Sequence, residues 1–251
     1  MNFGLGFISL LIGYLVGSIS FARLFTKLLA PGSDLGDLTI DMEDDLGQEP
    51  VGSYGANATA MILGPKIGLT VTALDMLKVI LPMLVVKNLF PEYPYHLITS
   101  IGCLLGHNWP IYHRFRGGRG YAVIFGSLLF VQWYAILLTT IGGLFIGMVF
   151  LGSPMACFFL WIWLMIPWMI FFGTTWELLY VIIVTVILHI GTMPEFIVSI
   201  RLLRAGKYEA YVEALYDSSP PWRMMKKMAD RLWIFKPILE RRKNAGEDQS
   251  T

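Results

Sequence analysis

From Tyr121 to Trp176 the chain carries no Asp, Glu, Lys or Arg, an uncharged run of 56 residues. As one helix at about 1.5 Å per residue it would measure about 84 Å. The hydrocarbon core of a bilayer is only about 30 Å thick. The run must therefore fold back on itself in an apolar medium, where every backbone N–H and C=O has to be bonded internally. Composition agrees: 55% of residues are hydrophobic and 15% charged, against about 25% charged in a soluble domain. Soluble, disordered and disulfide-rich secreted classes are excluded. A net charge of +1 with no long basic face leaves no footprint for nucleic acid. Cys103 and Cys157 both lie in apolar runs and are expected as core fillers rather than as a bridge.

The expected fold is an all-α, polytopic membrane helix bundle. The first apolar run, Phe3 to Ala22, has no Lys or Arg ahead of it and suits a membrane span better than a cleavable signal. The second is 58–86, interrupted by Lys66, Asp75, Lys78 and Pro82, and the third is 95–112. The uncharged block divides at Gln132-Trp133-Tyr134 and at Gly152-Ser153-Pro154 and ends near Gly173. This gives a short piece, 121–131, and two full spans; a last span runs from Leu178 to Met193. Short cytoplasmic loops are rich in Lys and Arg. Arg114, Arg116 and Arg119 follow the third run, and the chain beyond Met193 holds Arg201, Arg204, Lys207, Arg223, Lys226, Lys227, Arg231 and further basic residues. Both segments should face the cytoplasm, so an even number of crossings separates them and the short piece has to count. Seven spans follow, with the N-terminus outside and the C-terminus inside. Residues 1–206 form the membrane domain and 207–251 a basic, amphipathic cytoplasmic tail, expected as a helix on an anionic lipid surface. The loop 33–50 holds seven acidic residues, Asp34, Asp37, Asp41, Glu43, Asp44, Asp45 and Glu49, and no base. It is expected to be solvated and mobile, since it lacks the glycine and glutamate that complete a calcium loop.

Three polar, glycine-rich segments meet the cytoplasmic interface on this topology. They are Gly17-Ser18-Ile19-Ser20, then 52–59 with Gly52, Ser53, Gly55, Asn57 and Thr59, then Gly106-His107-Asn108-Trp109-Pro110 leading to Gly117-Gly118-Arg119-Gly120. In the third, glycines bracket one arginine just before a helix. That is the pattern of a phosphate site, where close-approaching backbone N–H groups and a guanidinium meet the anion; an inner loop whose arginines only obey the charge rule would look the same. For 52–59 the plain alternative is helix capping. Asp75 and Lys78 share one face of an apolar helix, as an ion pair or a functional pair. His107, beside the candidate anion loop, can hydrogen-bond or transfer a proton. No metal-ligand spacing, nucleophile elbow or Walker loop is present, so no metal and no cofactor are expected.

These segments, in this order, resemble the bacterial integral-membrane glycerol-3-phosphate acyltransferases that use acyl phosphate as donor. The similarity runs from about Gly13 to Gly206 and rests on Gly17-Ser18-Ile19, Leu74-Asp75 with Lys78, Gly106-His107 through Pro110, Phe115, Gly117-Gly118-Arg119-Gly120 and Arg201-Leu202-Leu203. It implies seven spans in the cell membrane and transfer of an acyl group from acyl phosphate to glycerol 3-phosphate, giving lysophosphatidic acid. It also implies His107, Lys78 and Asn108 as catalytic residues. Arg119, Gly117, Gly118, Gly120, Gly52, Ser53, Gly55, Asn57 and Ser18 would hold substrate phosphate. Acyl phosphate, glycerol 3-phosphate and membrane lipids are the implied partners. The chain departs from the pattern at Val51, Tyr54, Ala58 and Met61, where the family has serine, proline, asparagine and arginine, and at Glu195 and Val198, where it has histidine and asparagine. A non-catalytic protein on the same scaffold that binds or moves an anionic lipid is the alternative.

Overall fold

A computed structural model describes residues 2–42 and 47–236. Helix α1 (Phe3–Gly17) is capped by Asn2, whose side chain accepts from the Gly4 and Leu5 amides, and α2 (Phe21–Leu29) continues it beyond a break at 18–20. Then come α3 (Ala56–Leu63), α4 (Pro65–Leu89), α5 (Tyr95–Asn108), α6 (Tyr121–Phe145, continued by a π-turn at Ile146–Phe150), α7 (Pro154–Phe172) and α8 (Thr175–Arg204). Among the described residues, five helical stretches are long and apolar enough to cross a membrane: Phe3–Leu29, Pro65–Leu89, Tyr121–Phe150, Pro154–Phe172 and Thr175–Arg204. Their outer faces are apolar, with Leu69 70% and Phe171 77% exposed. In water such faces would be an aggregation hazard; toward lipid they are in their own solvent.

α6 is not one rod. Gln132 has non-helical dihedrals, φ −147° and ψ 82°. The Phe125 ring packs on the Trp161 ring, and Gly143 lies directly against the Trp161 backbone. On a straight helix those two positions would be about 27 Å apart, so the chain reverses at Gln132. Tyr121 packs on Phe158 and Gly147 on Cys157, so both legs, 121–131 and 133–145, run beside α7 in opposite directions. The reversal is pinned by polar contacts: Gln132 accepts from Trp168 Nε1 at 3.0 Å and donates to Glu177 at 3.3 Å. Glu177 itself closes a capping box with Thr174 at the start of α8.

α1 and α5 lie side by side and parallel. Gly13 and Gly17 meet the backbone of Thr99 and Cys103, and Gly102 and Gly106 meet that of Leu10 and Tyr14. A Cβ at any of the four would sit 2.0–2.1 Å from a carbonyl oxygen. Small residues four apart are what permit such close packing where lipid supplies no hydrophobic drive. Buried Tyr180 bonds Ser100 and Ser127, tying α8 to α5 and α6. Val79, Leu104, Ile124, Leu128, Ile162, Val181 and Leu188 fill the space between. Cys103 and Cys157 are both free and buried.

Two expectations change. The helical bundle stands, but the acidic loop is not uniformly open: a short 3-10 turn (Leu35–Asp37) precedes β1 (Thr39–Met42), which pairs antiparallel with β2 (Gly47–Pro50), Ile40 opposite Glu49. The reason is period-two alternation: Ile40 and Met42 point inward and are buried, while Thr39 and Asp41 point out. Glu43, Asp44 and Asp45 lie outside the described residues. The tail, expected on a lipid surface, is also packed on protein. α9 (Tyr208–Asp217) and α10 (Pro220–Leu232) pack back on the bundle. Trp222, Met225 and Ala229, at helical spacing, meet Phe158, Met148 and Cys157. The exposed Arg223, Lys227 and Arg231 remain on the other faces. The basic residues from Arg241 onward lie outside the described residues.

Candidate active site

Lys78 and Asp75 stand one helical turn apart on α4, each side chain 3% exposed, with Nζ 2.7 Å from Asp75 Oδ1. Nζ also lies 2.9 Å from His107 Nδ1 and donates to the Ile19 carbonyl at 2.9 Å. An ammonium has three N–H donors and no acceptor. Three protein groups lie within 3 Å of it, so Lys78 is turned inward and acts through what it holds. It holds two things: the 18–20 break between α1 and α2, and the ring of His107. Because Lys78 can only donate, Nδ1 must accept, and the remaining imidazole proton sits on Nε2.

Nε2 faces the glycine bracket. A Cβ on Gly118 would come within 2.3 Å of it, so the ring fits only against a bare Cα. Gly118 N–H donates to the His107 carbonyl at 3.1 Å, and Gly117 packs on the same carbonyl and on Pro110. The bracket is thus folded onto the end of α5. The second glycine segment reaches it as well: Tyr54 N–H donates to Gly117 O at 3.3 Å, and Gly55 faces the Cα of Gly118. Gly120, with φ +84°, ends the loop and opens α6, while Gly55 opens α3. Two helix N-termini, each with unbonded first-turn N–H groups, therefore meet at one place. Beside them lies a small cleft whose walls include Ser18, Ser20, Tyr54, His107, Gly117 and Gly118.

All three polar segments come together, but the individual residues fare differently. Ser18 is buried; its Oγ donates to Tyr14 O at 2.8 Å and accepts from Ile111 N–H at 3.4 Å, so it braces the cleft wall. Asn108 turns away from the cleft and wedges between Gly120 and Gly191. Asn57 accepts from Trp222 Nε1 of the tail at 3.3 Å. Ser53 stays half-buried beside Gly55. Arg119 lies outside the cleft lining. Its Nε donates to Glu195 at 2.7 Å and its Nη2 to Gly52 O at 2.8 Å, which clamps α8 and the second loop to the bracket.

Sequence reasoning missed Glu195 as a partner, and Arg23, whose guanidinium stacks 4.0 Å above the Tyr54 ring and donates to Arg116 O at 3.0 Å. Arg23 also helps hold the neighbouring His113 below the usual histidine range, after the larger effect of burial. Among the described residues no group of acids, histidines and cysteines is arranged to hold a metal ion.

Fold and site together define a polytopic membrane protein with a small cleft, walled by Ser18, Ser20, Tyr54 and His107, at one end of its bundle. The chain belongs to the glycerol-3-phosphate acyltransferase family, whose family model matches residues 7–198. Relatives of that name include one from Halalkalibacterium halodurans, 33% identical over 49% of this chain and 55% of the relative. Another, from Desulfotalea psychrophila, is 31% identical over 63% of this chain and 78% of the relative. The chain thus spans about half the length of several curated relatives that it matches. Among solved structures, the crystal structure of PlsY, an integral membrane glycerol 3-phosphate acyltransferase, in its glycerol 3-phosphate form aligns with a TM-score of 0.63. It covers 80% of this chain and 93% of that one at 23% identity, a likeness of fold.

Proposed function

We propose that this chain transfers an acyl group from acyl phosphate to glycerol 3-phosphate, giving lysophosphatidic acid, at the cytoplasmic face of the cell membrane. The observation that carries the reading is the convergence of the three motif segments on His107, held with its Nε2–H toward the glycine bracket. The hydroxyl oxygen of the acceptor bonds the acyl carbon, the acyl carbon–phosphate oxygen bond breaks, and the hydroxyl proton leaves on the released phosphate. The donor is already activated, so no protein nucleophile is required. The protein's part is positioning and charge stabilisation. His107 Nε2–H donates to the developing oxyanion or the departing phosphate, and the first turns of α3 and α6 add backbone N–H groups. Lys78 positions His107. Arg119 and Gly52 hold the second loop against the first.

Seven crossings accompany this reading: α1, α4, α5, the two legs of α6, α7 and α8. Parallel α1 and α5 agree with spans one and three running the same way, and the reversal at Gln132 supplies the extra crossing that the charge argument needs. The basic face of α10 would rest on anionic headgroups while its apolar stripe stays on the bundle. Both native thiols are buried, so cysteines introduced at Arg114 and Lys227 can be read cleanly. Both are expected to resist a membrane-impermeant maleimide in intact cells and to react after permeabilisation. Labelling of either from outside would break the seven-span order.

The reaction is tested on protein purified in detergent, given palmitoyl phosphate and glycerol 3-phosphate without metal or nucleotide. Inorganic phosphate and lysophosphatidic acid are expected in equal amounts, with acyl-CoA a poor donor. Folded protein that makes neither product would point instead to the same scaffold binding or moving an anionic lipid.

A further inference from the structure

Arg119 is the residue that its place in the glycine bracket would give to a phosphate, yet its guanidinium is already engaged. The side chain is 14% exposed, and Glu195, its partner at 2.7 Å, is 41% exposed. The carboxylate therefore stands on the solvent side of a largely covered cation. Nearby, Arg201 pairs with Glu49 of the hairpin. Tyr211, at the same mouth, is raised above the usual phenol range by burial first and then by the charges of Glu195 and Glu49. Arg119 and Arg201 thus face carboxylates, and an anion that seeks either guanidinium must contend with that carboxylate.

We infer that Glu195 is a specificity-determining residue: an anionic latch that occupies Arg119 until a phosphate displaces it. A carboxylate and a phosphate compete for the same planar fork of donors. Nε–H is the one Arg119 donor that the carboxylate takes, Gly52 O takes one from Nη2, and three N–H groups remain. A phosphate seeking two parallel contacts must compete with Glu195 for the edge that includes Nε or bind beside an unscreened negative charge. Release needs only rotation of an exposed side chain, with α8 unmoved. The inference rests on the reading that a phosphate-bearing acceptor enters at this mouth, and it adds that this chain binds such an acceptor against a built-in competitor.

The test uses the full chain in detergent, titrated calorimetrically with inorganic phosphate and with glycerol 3-phosphate, alongside initial rates. Glu195→Gln keeps the volume and an acceptor oxygen for Nε but removes the charge. It should bind both anions about fivefold more tightly, in the range of partly exposed ion pairs, and lower KM for glycerol 3-phosphate by a similar factor with kcat within about twofold. Glu195→Ala should do the same, and the gain should vanish when Arg119→Ala is combined with either. Unchanged or weaker phosphate binding in both folded variants would overturn the latch. The two readings separate cleanly. Tighter binding without turnover in any variant keeps the latch and removes the acyl transfer, whereas turnover with no response to Glu195 does the reverse.

Discussion

Lys78→Met should leave protein that is both inactive and markedly less stable, and Asp75→Asn added to it should restore the stability without the activity. Lys78 and Asp75 are almost completely covered. Removing the ammonium strands a carboxylate among helices that have little water to offer it, and breaking a buried pair in this way costs about 3–5 kcal/mol. That is a large part of the 5–15 kcal/mol that holds an ordinary domain together. Neutralising the partner removes the stranded charge, so the double variant should melt close to the wild type in a detergent thermal-shift assay. Activity should still be down about a hundredfold, because His107 Nδ1 has lost its obligate donor and Nε2 no longer carries the proton by default. Recovery of both stability and activity would reduce the pair to a structural tie between α4, α5 and the 18–20 break. The single Asp75→Asn should be the milder change, since Lys78 keeps His107 and the Ile19 carbonyl as acceptors.

How much of this was legible beforehand depends on whether a feature is local. The reversal at Gln132 was, because a polar-aromatic triplet in an uncharged block is conspicuous and the bilayer thickness requires a turn somewhere. The pairing of Asp75 with Lys78 was, because three residues make one helical turn. The gathering of the three glycine segments followed from putting them all on one side of a membrane. What stayed hidden is long-range or ambiguous in one dimension. Glu195 lies 76 residues from Arg119, and nothing in its own neighbourhood marks it as that arginine's partner. The same holds for Trp222 and Asn57, 165 residues apart. The tail's stripe of Trp222, Met225 and Ala229 fits a lipid surface or a protein surface equally well; only the packing on Phe158 and Met148 decides between them. The hairpin at 39–50 was masked by its charge density, although Thr39-Ile40-Asp41-Met42 does alternate. The repeated four-residue glycine spacing in α1 and α5 carried a readable signal for close helix packing, and the parallel contact between them is where it appears.

Gly118→Ala should abolish turnover while leaving the bundle intact, and it isolates the placement of His107 from every charge in the site. A Cβ there would lie 2.3 Å from His107 Nε2 and 3.0 Å from Cε1, closer than atoms can stand. The backbone cannot yield easily, because Gly118 N–H is bonded to the His107 carbonyl and Gly117 O receives Tyr54 N–H. The ring must therefore swing out, taking Nε2–H from the cleft and Nδ1 from Lys78. A displacement of about 1 Å in a positioned catalytic group is enough to lose about a hundredfold in rate, and more is expected here. The control is Gly55→Ala, on the opposite side of the same contact. Its Cβ would meet Ser53 Oγ at 3.7 Å and the Gly118 Cα at 3.9 Å, ordinary van der Waals distances, so the rate should stay within about threefold. Thermal melting of the two variants should be similar, since neither touches the α1–α5 contact or the Tyr180 bonds. Full activity in Gly118→Ala would mean that His107 needs no fixed place. The glycine bracket would then serve only to let the two loops approach. Equal losses in both variants would mean that the loops, and not the imidazole between Lys78 and Gly118, set the rate.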